Sequence, residues 1–135
     1  MRAEQVDPER LLPLTPAVFN IVLALGDGER HGYSIMQEIG KQTQGRMRIG
    51  PTTLYRSIKH MLEDGLIVES DERPDPALDD ERRRYYRLTN LGQRVAGAEI
   101  MRLEQTLAVA HSKSLLNSAS QSLGMKGVSY EADRC

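Results

Sequence analysis

Apolar residues along this chain fall into runs with helical spacing, separated by glycine and proline. Val18, Ile21, Val22 and Leu25 recur every three or four positions behind Thr15-Pro16. A hydroxyl that can cap free amides, then a residue preset for the first turn, marks a helix start. Gly26, Gly28 and Gly32 break the pattern. A second helix is expected over 33–43, with Ile35, Met36 and Ile39 inward and Gln44-Gly45 as its end. Arg46-Met47-Arg48-Ile49 alternates polar and apolar, which suits a very short strand or an extended connector.

Pro51 opens a third helix. At about 100° per residue, Leu54, Ile58, Met61 and Leu62 form one stripe. Thr52, Arg56, Lys59, His60 and Glu63 lie opposite, with Thr53 and Tyr55 on the flanks. Asp64-Gly65 stops the helix, because glycine accepts the left-handed cap. The following 66–70 has β character, 71–80 with Pro74 and Pro76 forms a hairpin tip, and 82–88 returns as a strand. Alternation puts Arg82, Arg84, Tyr86 and Leu88 on one face of that strand, with Arg83, Tyr85 and Arg87 on the other. Thr89-Asn90 caps a fourth helix reaching about residue 114, whose apolar stripe is Ile100, Leu103, Leu107 and Ala110. From about 117 onward, Ser, Gly and Gln dominate without periodicity, and disorder is expected.

The expected fold is mainly α with a small β wing, an α+β winged helix-turn-helix followed by a long helix. Its divisions are a loose leader over 1–14, the winged domain over 15–89, the long helix over 90–116 and a disordered tail over 117–135.

Composition adds limits. With 39% hydrophobic residues, 4% aromatics and no Trp, the core must be aliphatic. No apolar run approaches bilayer length, and the start has no apolar stretch of a secretion signal. The lone cysteine, Cys135, leaves no internal disulfide and fits a reducing setting, so a cytoplasmic location is expected. Net charge is −1, yet charge is sorted by position. Residues 45–60 carry Arg46, Arg48, Arg56 and Lys59 without an acid, and 82–94 carries five arginines, also without an acid. Between them, 61–81 holds nine acids against Arg73 alone.

The two basic blocks coincide with the third helix and the return strand. A helix-turn-helix brings the N-terminal half of its second helix to base edges. Arg56 and Lys59 suit guanine edges or phosphate, while Thr52 and Thr53 suit phosphate at a helix start. His60 shares that exposed face. The acidic hairpin tip would be repelled by phosphate, so contact is expected from arginines at its base. The fourth helix's stripe has two readings, self-association or closure of its own core, and self-association is favoured. His31, His60 and His111 lack metal-ligand spacing, and His31 reads as a turn or core histidine. No nucleophile–base grouping or phosphate loop argues for an enzyme, and no cofactor is implied. A protein-binding winged helix without DNA affinity is the alternative that the low net charge suggests.

Leu23-Ala24-Leu25 leading to His31-Gly32-Tyr33, Thr53-Leu54-Tyr55, Leu62-Glu63-Asp64-Gly65-Leu66-Ile67, and Tyr85-Tyr86-Arg87-Leu88-Thr89 with Gly92 together resemble a PadR-family transcriptional regulator. The motifs occur in family order over about 14–111. The resemblance implies a winged-helix homodimer acting mostly as a repressor of an operator in double-stranded DNA, released by a small molecule or other signal. By matched position it adds Thr53, Tyr55, Arg56 and the arginines Arg82, Arg83 and Arg84 as DNA contacts. The single helix after the wing resembles the short subfamily. Absence of Trp departs from its drug-binding members, which stack flat ligands on tryptophan, although Met101 and its aliphatic neighbours could line a small cavity.

Overall fold

A computed structural model describes residues 7–70 and 84–115. The elements are α1 (Pro16–Ala24), β1 (Arg30–His31), α2 (Gly32–Gln42), α3 (Pro51–Glu63), β2 (Ile67–Glu69), β3 (Tyr85–Leu88) and α4 (Asn90–Ser112). The fold is mainly α with a three-stranded antiparallel wing, as expected. Strand order is β1-β3-β2, with Arg30 opposite Tyr86 and Ile67 opposite Leu88. The chain divides into two units, Met1–Glu99 and Ile100–Cys135.

In the first unit the helices sit where periodicity put them. Ile21, Val22, Ile35, Ile39, Leu54, Ile58, Met61, Leu66, Ile67, Leu91 and Val95 are nearly sealed from solvent, and Tyr86 is the one aromatic among the buried hydrophobics of the described residues. This is the aliphatic core that the composition required. Met36, expected inward, is half-buried at its edge.

Residues 46–49 form the extended connector, the second of the two readings of their alternation, and not a strand. Three details differ from expectation. A further strand, β1, lies at Arg30–His31, created by pairing with β3 and not by local propensity. Leu62 is 38% exposed, because it sits on the margin of the α3 stripe beyond the reach of the covering elements. Residues 7–14, expected as a loose leader, make a short 3-10 turn at Pro8–Leu11, and Leu11, Leu12 and Leu14 pack against the core. Glu99, only 2% exposed, secures this segment by accepting the Leu14 N–H at 3.1 Å. The tail from 117 and the hairpin tip fall outside the described residues.

The wing is joined to α3 and α4 by one hydroxyl. Thr89 Oγ1 donates toward the Gly65 and Leu66 carbonyls and accepts the Gly92 N–H at 2.9 Å, while its own N–H donates to Leu66 at 3.0 Å. Gly92 is required here: a Cβ would collide with the Leu66 carbonyl oxygen. Gly65 has φ 80°, the left-handed conformation expected of the α3 cap.

Arg30 holds α1 to α2. Its Nε donates to the Ala24 carbonyl at 2.8 Å and its Nη1 to Ser34 Oγ at 3.0 Å, with Nη2 at 3.4 Å from Glu38. Next to it, His31 Nδ1 accepts the Ser34 N–H at 3.1 Å, capping α2, and its ring meets Tyr85 edge-on at 5.4 Å. The histidine serves a turn, as read from the sequence.

In the second unit α4 continues to Ser112. Ile100, Met101, Leu107 and Val109 are exposed, and Leu103 and Ala110 are half-buried.

Candidate nucleic-acid interface

The third helix is positioned by a stiff connector. α2 ends through two left-handed residues, Gln44 (φ 52°) and Gly45 (φ 76°), and the Gly45 N–H returns to the Gly40 carbonyl at 2.7 Å. Thr43 Oγ1 then donates to the Ile39 carbonyl at 2.8 Å and accepts the Met47 N–H at 3.1 Å. Met47 and Ile49 turn toward the core while Arg46 and Arg48 stay exposed. That alternation fits a short strand or an extended connector, and here it is the connector, with no sheet.

Gly50 is the N-cap of α3, and it supplies no side-chain cap. In α1, α2 and α4, by contrast, Thr15, His31 and Thr89 each accept an amide of the first turn. The first-turn amides of α3 at Thr52 and Thr53 therefore have no side-chain cap, and they carry the positive end of the helix dipole.

Along α3, Leu54, Ile58 and Met61 are sealed in the core, which forces Thr52, Thr53, Arg56, Lys59 and His60 outward; all five are exposed. From Thr52 to His60 this face runs about 12 Å at 1.5 Å per residue. An α-helix is about 10–12 Å across with its side chains, which fits the major groove, about 12 Å wide. Arg46, Arg48, Arg56 and Lys59 make no ion pair among the described residues. His60 Nδ1 lies 3.7 Å from Glu63, which puts the one acid of the face at the far end of the helix from its open N-terminus.

Tyr55 stands apart from its neighbours. It is half-buried among residues packed on the core, and its phenol lies against the backbone of Gly32, where an added Cβ would have to displace the ring. The structure thus gives it a packing role between α2 and α3 that the sequence did not signal.

On the wing, Arg84 Nε is 3.5 Å from Glu69 of the neighbouring strand, with the arginine side chain 42% exposed. Such a pair is worth about 0–1 kcal/mol and yields readily to a stronger anion. Arg82 and Arg83 lie outside the described residues. Arg87, which was not singled out as a site, is exposed on β3 opposite Val68. Strand alternation places it on the face away from buried Tyr86, outside the denser arginine run at 82–84.

A hydrogen-bonded connector, an uncapped helix start and a cationic outer face accompany the three-stranded wing. The model of the transcriptional regulator PadR-like family matches residues 21–98, more than half of the chain. The chain belongs to the PadR family. Solved structures agree. A transcriptional regulator from Clostridium thermocellum is 26% identical with a TM-score of 0.60, over 71% of this chain and 87% of that one. A PadR-family transcription regulator from Clostridium difficile is 25% identical with a TM-score of 0.57, over 73% of this chain and 97% of that one. PadR of Bacillus subtilis, solved in complex with operator DNA, shares the fold at 19% identity and a TM-score of 0.52, over 62% of this chain and 45% of that one. No curated protein matches. The PadR-family match runs from α1 through β3 and into α4, so it takes in α3 and the described wing strands.

Proposed function

We propose that this PadR-family chain is a sequence-specific, non-enzymatic DNA-binding repressor that works in the cytoplasm as a homodimer on an inverted-repeat operator. The observation that carries the reading is the face of α3: Arg56 and Lys59 stand exposed without an ion pair among the described residues, behind an uncapped first turn. Thr52 and Thr53 offer hydroxyls and amides to phosphate, Arg56 and Lys59 reach base edges or phosphate, and His60 extends the same face. Arg82, Arg83 and Arg84 contribute from the base of the wing, Arg84 after leaving Glu69. Tyr55 acts from the flank of the helix while holding it against α2. The bound operator of the Bacillus subtilis relative supports this assignment.

In the second unit, Ile100, Leu103, Leu107 and Ala110 share one side of α4 and form the dimerisation surface, with Ile100 and Leu107 exposed in the single chain. Two-fold pairing would set two copies of α3 about one helical turn apart on DNA. Release by a small-molecule effector completes the cycle.

Arg56→Ala tests the reading. In a mobility-shift assay, operator affinity should fall by about 1–3 kcal/mol if Arg56 makes a bidentate base contact. Unchanged affinity for both operator and random duplex removes Arg56 from the interface. A protein-docking winged helix is the second reading, favoured by the net charge of −1 and the Arg84–Glu69 pair. It is distinguished by salt: a DNA reader loses affinity over decades between low and moderate salt, whereas the docking module binds no duplex even at low salt.

A further inference from the structure

One contact of the winged domain holds in a single protonation state. The Ser34 N–H of α2 donates to His31 Nδ1 at 3.1 Å, and His31 is the N-cap of that helix. A ring nitrogen that accepts a hydrogen bond carries no proton, so this cap requires the neutral imidazole with its proton on Nε2. His31 is half-buried, which leaves it within reach of solvent protons.

The same residue reaches two other parts of the fold. It is one of the two residues of β1 and stands opposite Tyr85 of β3, whose ring it meets edge-on at 5.4 Å. The next residue, Gly32, is the backbone against which the Tyr55 phenol of α3 lies. The start of α2, the wing and the reading helix therefore meet at two consecutive residues.

The charges around the ring come from several elements. On β1, Arg30 presents its guanidinium, which lies 3.6 Å from Asp27 of the preceding turn and 3.4 Å from Glu38 of α2. Glu29, in the same turn, is exposed. On β3, Arg84 beside Tyr85 is 3.5 Å from Glu69 of β2. From α3, the titratable neighbour is the Tyr55 phenol.

A proton on Nδ1 turns the acceptor into a donor facing another donor. It also adds a cation at the positive end of α2, beside Arg30, whose own charge is shared by the two acids. The ring must then leave the helix start, and its edge contact with Tyr85 goes with it. The fold holds the neutral form, so the stability given by the cap is complete above the unfolded-chain value of about 6.5. It is lost as pH falls through the value of the folded chain.

Resting on the DNA reading proposed above, we infer that His31 is a proton-operated switch: neutral, it fixes α2, α3 and the wing in the arrangement that grips the operator, and protonated, it lets them come apart and weakens that grip. The proton is then a regulatory signal in its own right.

The test uses the full chain and measures operator affinity from pH 8 to pH 5.5 for wild type, His31→Asn and His31→Ala. Asn keeps a capping oxygen and does not titrate, whereas Ala has no cap. His60, exposed on the reading face, is common to all three chains, so its own titration cancels in their ratios. Wild type should lose affinity relative to His31→Asn by several-fold at pH 5.5, with a ceiling of about ten-fold per protomer for a group titrating near 6.5. His31→Ala should bind more weakly than His31→Asn at pH 8, with both folded by circular dichroism. In NMR spectra of the wild type, the His31 imidazole should titrate below about 6.5, and the Ser34 amide should shift with it. A ratio of wild type to His31→Asn that stays flat with pH overturns the switch, as does an alanine variant that matches the asparagine one. So does an imidazole that titrates without moving the Ser34 amide. A wild type that binds no duplex at pH 8 overturns the DNA reading and the operator switch with it, while the imidazole and amide signals judge the proton-sensitive cap by itself.

Discussion

The Thr89 hydroxyl ties the end of α3 to the start of α4, and its removal tests that packing. It donates toward the Gly65 and Leu66 carbonyls and accepts the Gly92 N–H at 2.9 Å. Thr89→Val keeps the shape and deletes both functions. Loss of an N-cap acceptor costs about 1 kcal/mol, and loss of a donor to a part-buried carbonyl about another 1 kcal/mol. The backbone cannot relax freely to compensate, because Gly92 already lies close enough to the Leu66 carbonyl oxygen that no Cβ fits. The expected total is about 2 kcal/mol, and a domain of this size shifts in Tm by about 4–8 °C per kcal/mol. Thermal melts should therefore show Thr89→Val about 8–16 °C lower; protein concentration is held fixed because the proposed dimerisation would make Tm depend on it. Thr89→Ser retains the hydroxyl and should recover most of the loss. A valine variant within about 0.5 kcal/mol of wild type in urea unfolding refutes the reasoning. So does a serine variant as unstable as the valine one, which would place the energy in the methyl group instead.

Other sites give independent checks. Gly32→Ala must displace the Tyr55 phenol from α2 and should cost about 1–3 kcal/mol; Tyr55→Leu in the same background should return part of it, and additive effects would show that the two residues do not meet. Glu99→Leu removes the acceptor of the Leu14 N–H, so hydrogen exchange should lose protection at the Leu14 amide, whereas unchanged protection would mean that the 7–14 segment is held by Leu11, Leu12 and Leu14 alone. Leu107→Asp puts a charge on a side chain that is 54% exposed in the single chain; light scattering should report monomers at micromolar protein, and an intact dimer would reject α4 as the pairing surface.

The four helices were legible because each combines an apolar period with a chemical stop or start: Thr15-Pro16, Gly45, Pro51 and Gly65 all act locally. What escaped depends on partners distant in sequence. β1 is two residues long and exists only because β3 lies beside it. Glu99 looks like a surface acid on α4, and nothing near it announces a backbone amide 85 positions away. Leu11, Leu12 and Leu14 have no period to mark them, yet they pack on the core.

The motifs that carry the family resemblance divide in an informative way. His31 caps α2 and meets Tyr85, Gly32 admits the Tyr55 phenol, Gly65 turns the chain out of α3, and Thr89 with Gly92 closes the wing onto α4. Each of these residues answers a local requirement of geometry: room for a ring or a carbonyl, a capping group, or a positive φ. Thr52, Arg56 and Lys59 bear no such constraint; they are exposed and hold nothing of the fold together among the described contacts. A frame that demands particular residues identifies the family, whereas a face free of such demands can vary with the operator it meets. The sequence is therefore most readable where it builds the scaffold, and on the DNA-binding reading proposed above the operator's identity would reside in the residues that the scaffold leaves free.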